Sequence, residues 1–395
     1  MNVMDPALRE RLAEWLAYHL SNFEYVWPWA KWAHVLEAPA YDGQRRFCVA
    51  VMNRLVRLSY WDRVQSVLPE DFRPLLPPKP EVAPLPPPDA DGGDLEGRWA
   101  ARALQLVRSK ASPAELEAWL GNNALEAALG GGVGVLRMLA RCLLVAGAKS
   151  YTHMSIALER YYGLLAKLAG EAGEAGEAAM VEVAAAVWAA NPQRAAMAVD
   201  RLMGLRLVSA RAVVAWAFRS DGVRSIADES RCGMAWDVLY AAVNKTSARV
   251  QDAGEELAAG RAHAEHTAAA AASGAGPQEA ADAAAAALPE KEAYLAETTA
   301  QQRDAVLQVL HCFVEMLGEG GVAAGTAAGG EGDAMDADTD EHTALHDYTL
   351  ASLKSFLRRY NLEMAQVAER VEAEILGAQG LAEDVKGAVQ AHLYL

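Results

Sequence analysis

The stretch 186–218 decides the fold. It reads Val187-Trp188-Ala189-Ala190-Asn191-Pro192-Gln193, then Val199-Asp200-Arg201-Leu202, then Val213-Val214-Ala215-Trp216-Ala217-Phe218. Its punctuation predicts one helix stopped at Asn191, a second opened by Pro192 and a third carrying Trp216. Proline suits a first helical turn because its missing N–H has no partner to lose there. Helices this short bury their apolar stripes only by stacking on neighbours. The expected fold is therefore all-α: an α-solenoid of antiparallel helix pairs, which offers broad binding faces more readily than a catalytic pocket.

Composition points the same way. The 395 residues are 52% hydrophobic. Alanine and leucine dominate and β-branched residues rarely run together, a mix that favours helix. The formal net charge of -16 repels a phosphate backbone, which argues against sequence-independent nucleic-acid binding and against lying on an anionic membrane. Cys48, Cys142, Cys232 and Cys312 are widely spaced in apolar helical surroundings and read as buried thiols in a reducing compartment. The first ten residues have neither the basic start nor the apolar run of a signal peptide, and no stretch offers the ~20 apolar residues of a membrane span. A place inside the cell is expected.

Outward from the opening stretch, helical spacing recurs. In 1–68, Asp5 caps and Pro6 opens a helix whose apolar stripe is Leu8, Leu12, Trp15, Leu16 and Leu20. Phe23, Trp27, Trp29 and Trp32 crowd a turn and a short helix, and Phe47, Val51, Leu55 and Leu58 follow at helical spacing. Nine of the sixteen prolines then fall between Pro69 and Pro88. They predict an extended, semi-rigid linker over 69–94 and a domain boundary there. The second domain is expected over 95–395. Ser112-Pro113-Ala114-Glu115 is a capping box, and helices are expected at 135–146, 151–169, 178–190, 192–203 and 209–218. Over 239–317 the positions Leu239, Val243, Thr246, Val250, Ala253, Leu257, Gly260 and Ala264 step by four and three, the seam of a coiled coil. Ser273-Gly274-Ala275-Gly276-Pro277 turns the chain, and the return runs through Leu288, Leu295, Val306, Leu310, Phe313 and Leu317. The result is a long helical hairpin arm. The stretch 318–347 is rich in Gly, Ala, Asp and Glu and is expected to be a disordered acidic insertion. Helices at 348–360, 364–376 and 382–393 close the chain.

Catalytic and metal patterns find little support. Gly147-Ala148-Lys149-Ser150 puts an alanine between the glycine and lysine that a phosphate loop needs adjacent. Gly130, Gly131, Gly132 and Gly134 have the wrong spacing for a dinucleotide loop and read as an inter-helix turn. His263 and His266 flank Glu265 with no third ligand. His311 and Cys312 are helix neighbours that point apart, a poor nucleophile and base. His342 and His346, with Asp336, Asp338, Asp340 and Glu341, lack calcium-loop spacing. No catalytic, cofactor or metal residue is assigned, and partner-binding residues stay unassigned. Trp27, Trp29 and Trp32 admit two readings. They form either a stacking site for a methylated base or a core cluster where helices meet, the simpler of the two.

These segments together resemble one family, the large subunit of the nuclear cap-binding complex. Ser21-Asn22-Phe23, Trp27, Trp29, Trp32, Arg57-Leu58-Ser59-Tyr60 and Arg63 look like the end of its second helical domain. Trp188, Asn191-Pro192-Gln193, Val199-Asp200, Val213 and Trp216-Ala217-Phe218 resemble its third. Trp236, Leu239 and the arm after Asn244-Lys245 resemble that domain's coiled-coil hairpin. Ala215 stands where the family usually has a polar residue. The family's first domain and basic import signal have no counterpart, so the resemblance implies that 1–68 is the C-terminal part of a second MIF4G-like domain and 95–395 the third. It further implies a scaffold that is no enzyme and takes no cofactor. Such a scaffold holds a small subunit with an RNA-recognition fold, and that subunit, not the scaffold, stacks on the 7-methylguanosine cap. A nuclear location and roles in splicing, export, nonsense-mediated decay and small-RNA processing through adaptors go with it. The alternative is another MIF4G or HEAT-type scaffold, in translation initiation or nuclear transport, with no cap role.

Overall fold

The computed structural model describes residues 4–40, 42–83, 85, 95–121, 123–219, 232–318, 335–377 and 381–393. Every regular element among them is helical, as the punctuation of 186–218 predicted. The first body contains α1 (Pro6–Asn22), a 3₁₀ helix (Trp29–Leu36), α2 (Gly43–Leu58), α3 (Trp61–Val67) and a second 3₁₀ helix (Glu70–Leu75). Asp5 Oδ1 accepts from the Ala7 amide at 2.9 Å, and Asp42 accepts from the Gln44 and Arg45 amides at 2.8 and 3.0 Å. Each carboxylate satisfies orphan donors at a helix start and meets the positive end of the dipole. On α1 the expected stripe divides. Leu16 and Leu20 join Ala13 and Ala17 against α2, whereas Leu8 and Trp15 face outward. The reason is helical geometry: Trp15 and Leu16 are adjacent, so about 100° separates them around the axis.

The larger unit begins with α4 (Leu95–Arg108), α5 (Pro113–Leu120), α6 (Asn123–Ala128), α7 (Gly132–Ala146), α8 (Tyr151–Arg160), α9 (Tyr162–Val187), α10 (Pro192–Gly204) and α11 (Ala210–Phe218). The capping box of α5 is complete. Glu115 N donates to Ser112 Oγ at 3.2 Å and Ser112 N to Glu115 Oε2 at 2.8 Å. At the start of α10, Asn191 Oδ1 accepts from the Arg194 amide at 3.2 Å beside Pro192. The helix expected over 151–169 breaks at Tyr161, whose buried ring is held by a 2.7 Å bond from its hydroxyl to Ala111 O. The chain then enters α9, two helical segments that meet at Gly173, where φ is +57°, the second of them carrying the helix expected at 178–190. Only glycine adopts that conformation without strain.

Next come α12 (Cys232–Ala272), α13 (Gln278–Ala286) and α14 (Leu288–Leu317), which form the arm. Arg261 bonds Glu292, and Gln302 bonds Ser247. As one residue number rises the other falls, so α12 and α14 run antiparallel. Leu239, Val243, Thr246, Ala253 and Leu257 of the expected seam are buried; toward the tip the helices are largely exposed. The chain closes with α15 (Met335–Arg359), α16 (Asn361–Gln366), α17 (Ala368–Val371) running into a π turn (Glu372–Leu376), and α18 (Glu383–Leu393).

Two expectations need correction. Of the stretch read as disordered, 319–334 lies outside the described residues, but from Met335 onward it is the first half of α15. Leu353, Phe356 and Leu357 anchor that helix in the core of the larger unit, and once a helix is nucleated, extending it backward costs little per residue. The proline stretch is also no free spacer where it is described. Phe72 and Leu75 are buried in the first body, and Phe72 lies 5.6 Å from Trp29. Trp61 Nε1 donates to Pro77 O at 2.8 Å. Beyond it, Ala83 N donates to Val187 O at 3.0 Å while Val82 and Leu85 pack on the larger unit.

Stacking follows chain order. Helix α7 packs on α9, α9 on α10 and α11, those two on α12, and α14 on α12, α15 and α16. The first body does not stay beside its linker. Helix α1 touches α15, near the other end of the chain.

Candidate interaction surfaces

Trp27, Trp29 and Trp32 gather at the first body's core, Trp29 within it and the other two packed against it. Trp29 is 4% exposed and touches Phe72; Trp32 packs on Phe47. Trp27 and Trp29 both meet Trp32 edge-on, with centroids 5.4 and 6.0 Å away and rings inclined at 76° and 87°. A base sandwich needs two parallel faces one ring apart. Edge-to-face packing closes that space and is the arrangement aromatic quadrupoles prefer.

Three places combine charge with geometry. The first is the junction where α1 and α2 reach the larger unit. Asp5 pairs with Arg358, Arg57 with Asp237, and the Arg46 guanidinium sits 3.7 Å from the Tyr348 ring centroid. Arg9 is buried there, and burial lowers its pKa most, with nearby Arg46 acting in the same direction. The second is the base of the arm. Lys245 pairs with Asp200 at 2.6 Å, Gln302 Nε2 donates to Ser247 Oγ at 2.9 Å, and Ser247 Oγ donates to Glu363 Oε1 at 2.8 Å. The third is a shallow cleft of about 20 Å³ lined by Gly147, Ser150, Tyr151, Met154, Trp188, Arg194 and Met197. Arg194 lies 5.0 Å from the Trp188 ring centroid and donates to Ala148 O. The cleft is smaller than the ~300–1,000 Å³ of ordinary ligand pockets.

The sequence candidates for chemistry come out dispersed. Ser150 of the supposed phosphate loop caps α8, accepting from the His153 amide at 3.3 Å. His263, Glu265 and His266 are exposed on the arm. His311 turns to Glu374 at 3.4 Å, while burial pushes the Cys312 thiol up to about 12. His346 lies 3.5 Å from Asp384; the side chains of Asp336, Asp338, Asp340, Glu341 and His342 are outside the described set. Among the described residues, no three His, Cys, Asp or Glu side chains gather as metal ligands, and no helix is long and apolar enough to cross a membrane.

A family model described as "MIF4G like" matches residues 100–365, and a second of the same description matches 1–70. The chain belongs to the MIF4G-like family. Within it, the chain is 32% identical over 257 residues to Nuclear cap-binding protein subunit 1 of Oryza sativa subsp. japonica, a match covering 64% of this chain and 29% of the relative. Against the protein of that name from Arabidopsis thaliana it is 31% identical over 265 residues, covering 64% and 30%. Against that from Homo sapiens it is 26% identical over 265 residues, covering 65% and 33%. The relatives' name agrees with the resemblance carried by Trp188, Asn191-Pro192-Gln193 and Trp216-Ala217-Phe218. This MIF4G-like chain spans about a third of the length of the curated relatives it matches.

Two features of the surface were missed in the sequence. The junction ion pairs join residues 180 and 353 positions apart and leave no local signal. The outer face of α1 did leave one, which the single-stripe reading passed over: Leu8 and Trp15 lie seven residues apart, at an azimuth different from that of the buried Leu16 and Leu20.

Proposed function

We propose that this chain is a non-enzymatic scaffold part of a nuclear cap-binding complex. In this reading it holds and orders a small subunit with an RNA-recognition fold, and that subunit binds the 7-methylguanosine cap. The supporting observation is its identity to proteins named Nuclear cap-binding protein subunit 1 in both plants and animals, joined to the MIF4G-like match over most of its length. The physics of the surface agrees. Helical stacks present wide faces, and the described titratable groups sit in scattered ion pairs, not in a convergent set. An acidic scaffold of charge -16 also suits a basic RNA-binding partner, because opposite charge steers encounter without competing for the RNA. A nuclear location, with service to splicing, export, decay and small-RNA processing through adaptors, belongs to this proposal.

The test is co-purification with the small subunit, followed by titration of a fluorescent cap analogue. Retention of the small subunit, with tighter cap binding than the small subunit shows alone, is the expected result. Absence of retention at micromolar protein overturns the proposal, and affinity for a translation or transport factor in its place would favour the other scaffold class.

A further inference from the structure

The cleft between α8 and α10 joins an apolar lining to an unpaired donor and a local excess of positive charge. Met154 forms its buried part, while Tyr151 is 45% exposed and Met197 37%. Trp188 lines it too. That side chain is 2% exposed, and its indole N–H is buried without a hydrogen-bond partner. Buried donors are nearly always paired in folded proteins, so this one calls for an acceptor. The Arg194 guanidinium sits by the same ring and donates to Ala148 O; its other N–H groups make no bond among the described residues. Ser150 caps α8 and Arg194 lies in the first turn of α10, so the positive ends of two helix dipoles meet at the cleft. Each of these helices carries one carboxylate, and both are paired: Glu159 with Arg201, Asp200 with Lys245. Arg194 and the exposed Lys149 enter no ion pair among the described residues. In a chain of net charge -16, this is a spot of the opposite sign.

We infer that this cleft docks a short acidic segment of a partner protein. One small apolar side chain enters between Tyr151 and Met197, a neighbouring aspartate or glutamate carboxylate meets Arg194, and a peptide carbonyl accepts from Trp188 Nε1. The size of the cleft selects the anchor. A volume of about 20 Å³ admits one group as large as a water or a methyl. It suits the tip of alanine, valine or proline and excludes an aromatic ring or a nucleic-acid base. Charge selects the flanks. Two free cations and two helix ends attract carboxylates, because complementary potentials steer a partner into register. They are too few to hold a nucleic-acid backbone, whose binding draws on many neutralised phosphates. The site does not rest on the cap reading, and its test contains no small subunit, so either can fail without the other.

The whole chain, labelled with nitrogen-15 at tryptophan, is titrated with pentapeptides that carry two acidic residues on each side of a varied centre. Trp188→Phe assigns the Trp188 indole signal, and dye-labelled versions of the same peptides read affinity by anisotropy without that assignment. With alanine, valine or proline at the centre, the indole signal is expected to move and saturate, with a dissociation constant on the order of 0.1–1 mM. Tryptophan at the centre, or lysine in place of the acids, leaves it still. Arg194→Glu weakens binding about tenfold or more, because it sets a carboxylate against the acidic segment. Arg160→Glu, at the far end of α8, changes it less than about twofold. The remaining indole signals show that each variant folds. An indole signal and an anisotropy that no peptide changes at roughly 5 mM overturn the inference. So does binding indifferent to Arg194→Glu, or lost equally in Arg160→Glu. A response to oligouridylate and not to the peptides would give the cleft to RNA and overturn it as well.

Discussion

Asp5 and Arg358 stand 353 positions apart and form an ion pair. The same carboxylate caps α1 through its other oxygen, which accepts from the Ala7 amide, so one side chain starts the first helix and ties it to α15. The two roles separate by substitution. Asp5→Asn keeps a capping oxygen and loses the charge, which for a partly exposed pair costs under about 1 kcal/mol. Asp5→Ala loses the cap as well and costs about 1–2 kcal/mol. Urea denaturation of both variants gives the difference; equal losses would show that the cap contributes nothing.

Trp29 is the keystone of the first body's core. Trp29→Ala removes a large side chain from contact with Phe72 and Trp32 and is expected to cost about 3–5 kcal/mol. Leu362 is 74% exposed, so Leu362→Ala stays within about 0.5 kcal/mol of the parent. Thermal melts followed by circular dichroism compare them. A Trp29→Ala protein that melts like the parent would contradict the core assignment.

At the arm's base, the order of substitution matters. Ser247→Ala strips the buried Gln302 amide of its acceptor and leaves it unpaired, at a cost of about 1–3 kcal/mol. Gln302→Leu removes the polar group itself, and Ser247 keeps its bond to Glu363, so it is expected to be near neutral. Gln302 Oε1 already makes no hydrogen bond, which strengthens that contrast. Chemical denaturation orders the two variants; a Gln302→Leu loss as large as that of Ser247→Ala would show that the network itself stabilises the fold.

Burial pushes the thiols of Cys48, Cys142 and Cys312 from 9.0 up to about 12, and the Tyr360 hydroxyl from 10.0 up to about 12. The fold therefore favours the neutral forms. Their contribution is full below the unfolded values, so stability is expected to fall as pH rises from about 9 toward 12. The same shift leaves little thiolate at pH 8. Iodoacetamide labelling read by peptide mass should be slow at these three sites in the native protein and fast in urea. Rapid native labelling at Cys142 would overturn the assignment.

Local chemistry was legible wherever the chain carries its own punctuation. Ser112 with Glu115, Asn191 with Pro192, and the four-three steps from Leu239 to Leu257 each gave an element in its observed place. Misreadings arose where distant residues decide. Tyr161 breaks a helix because its hydroxyl reaches Ala111. Phe72 draws the proline stretch into the core because Trp29 waits there. Leu353, Phe356 and Leu357 hold α15, and the helix extends backward into sequence that has no packing signal of its own. Surface roles were harder still, since a face is defined by what it leaves uncovered. Trp15 and Leu16 look alike in the chain and differ only in azimuth.

The lodging of Val82 and Leu85 on the larger unit, with α1 resting against α15, turns a linear succession of rods into a closed circuit. A chain so arranged does not come apart at a single cut: a nick in the proline stretch would leave two fragments still clasped, and the first body would depart only after its grip on α15 was also released.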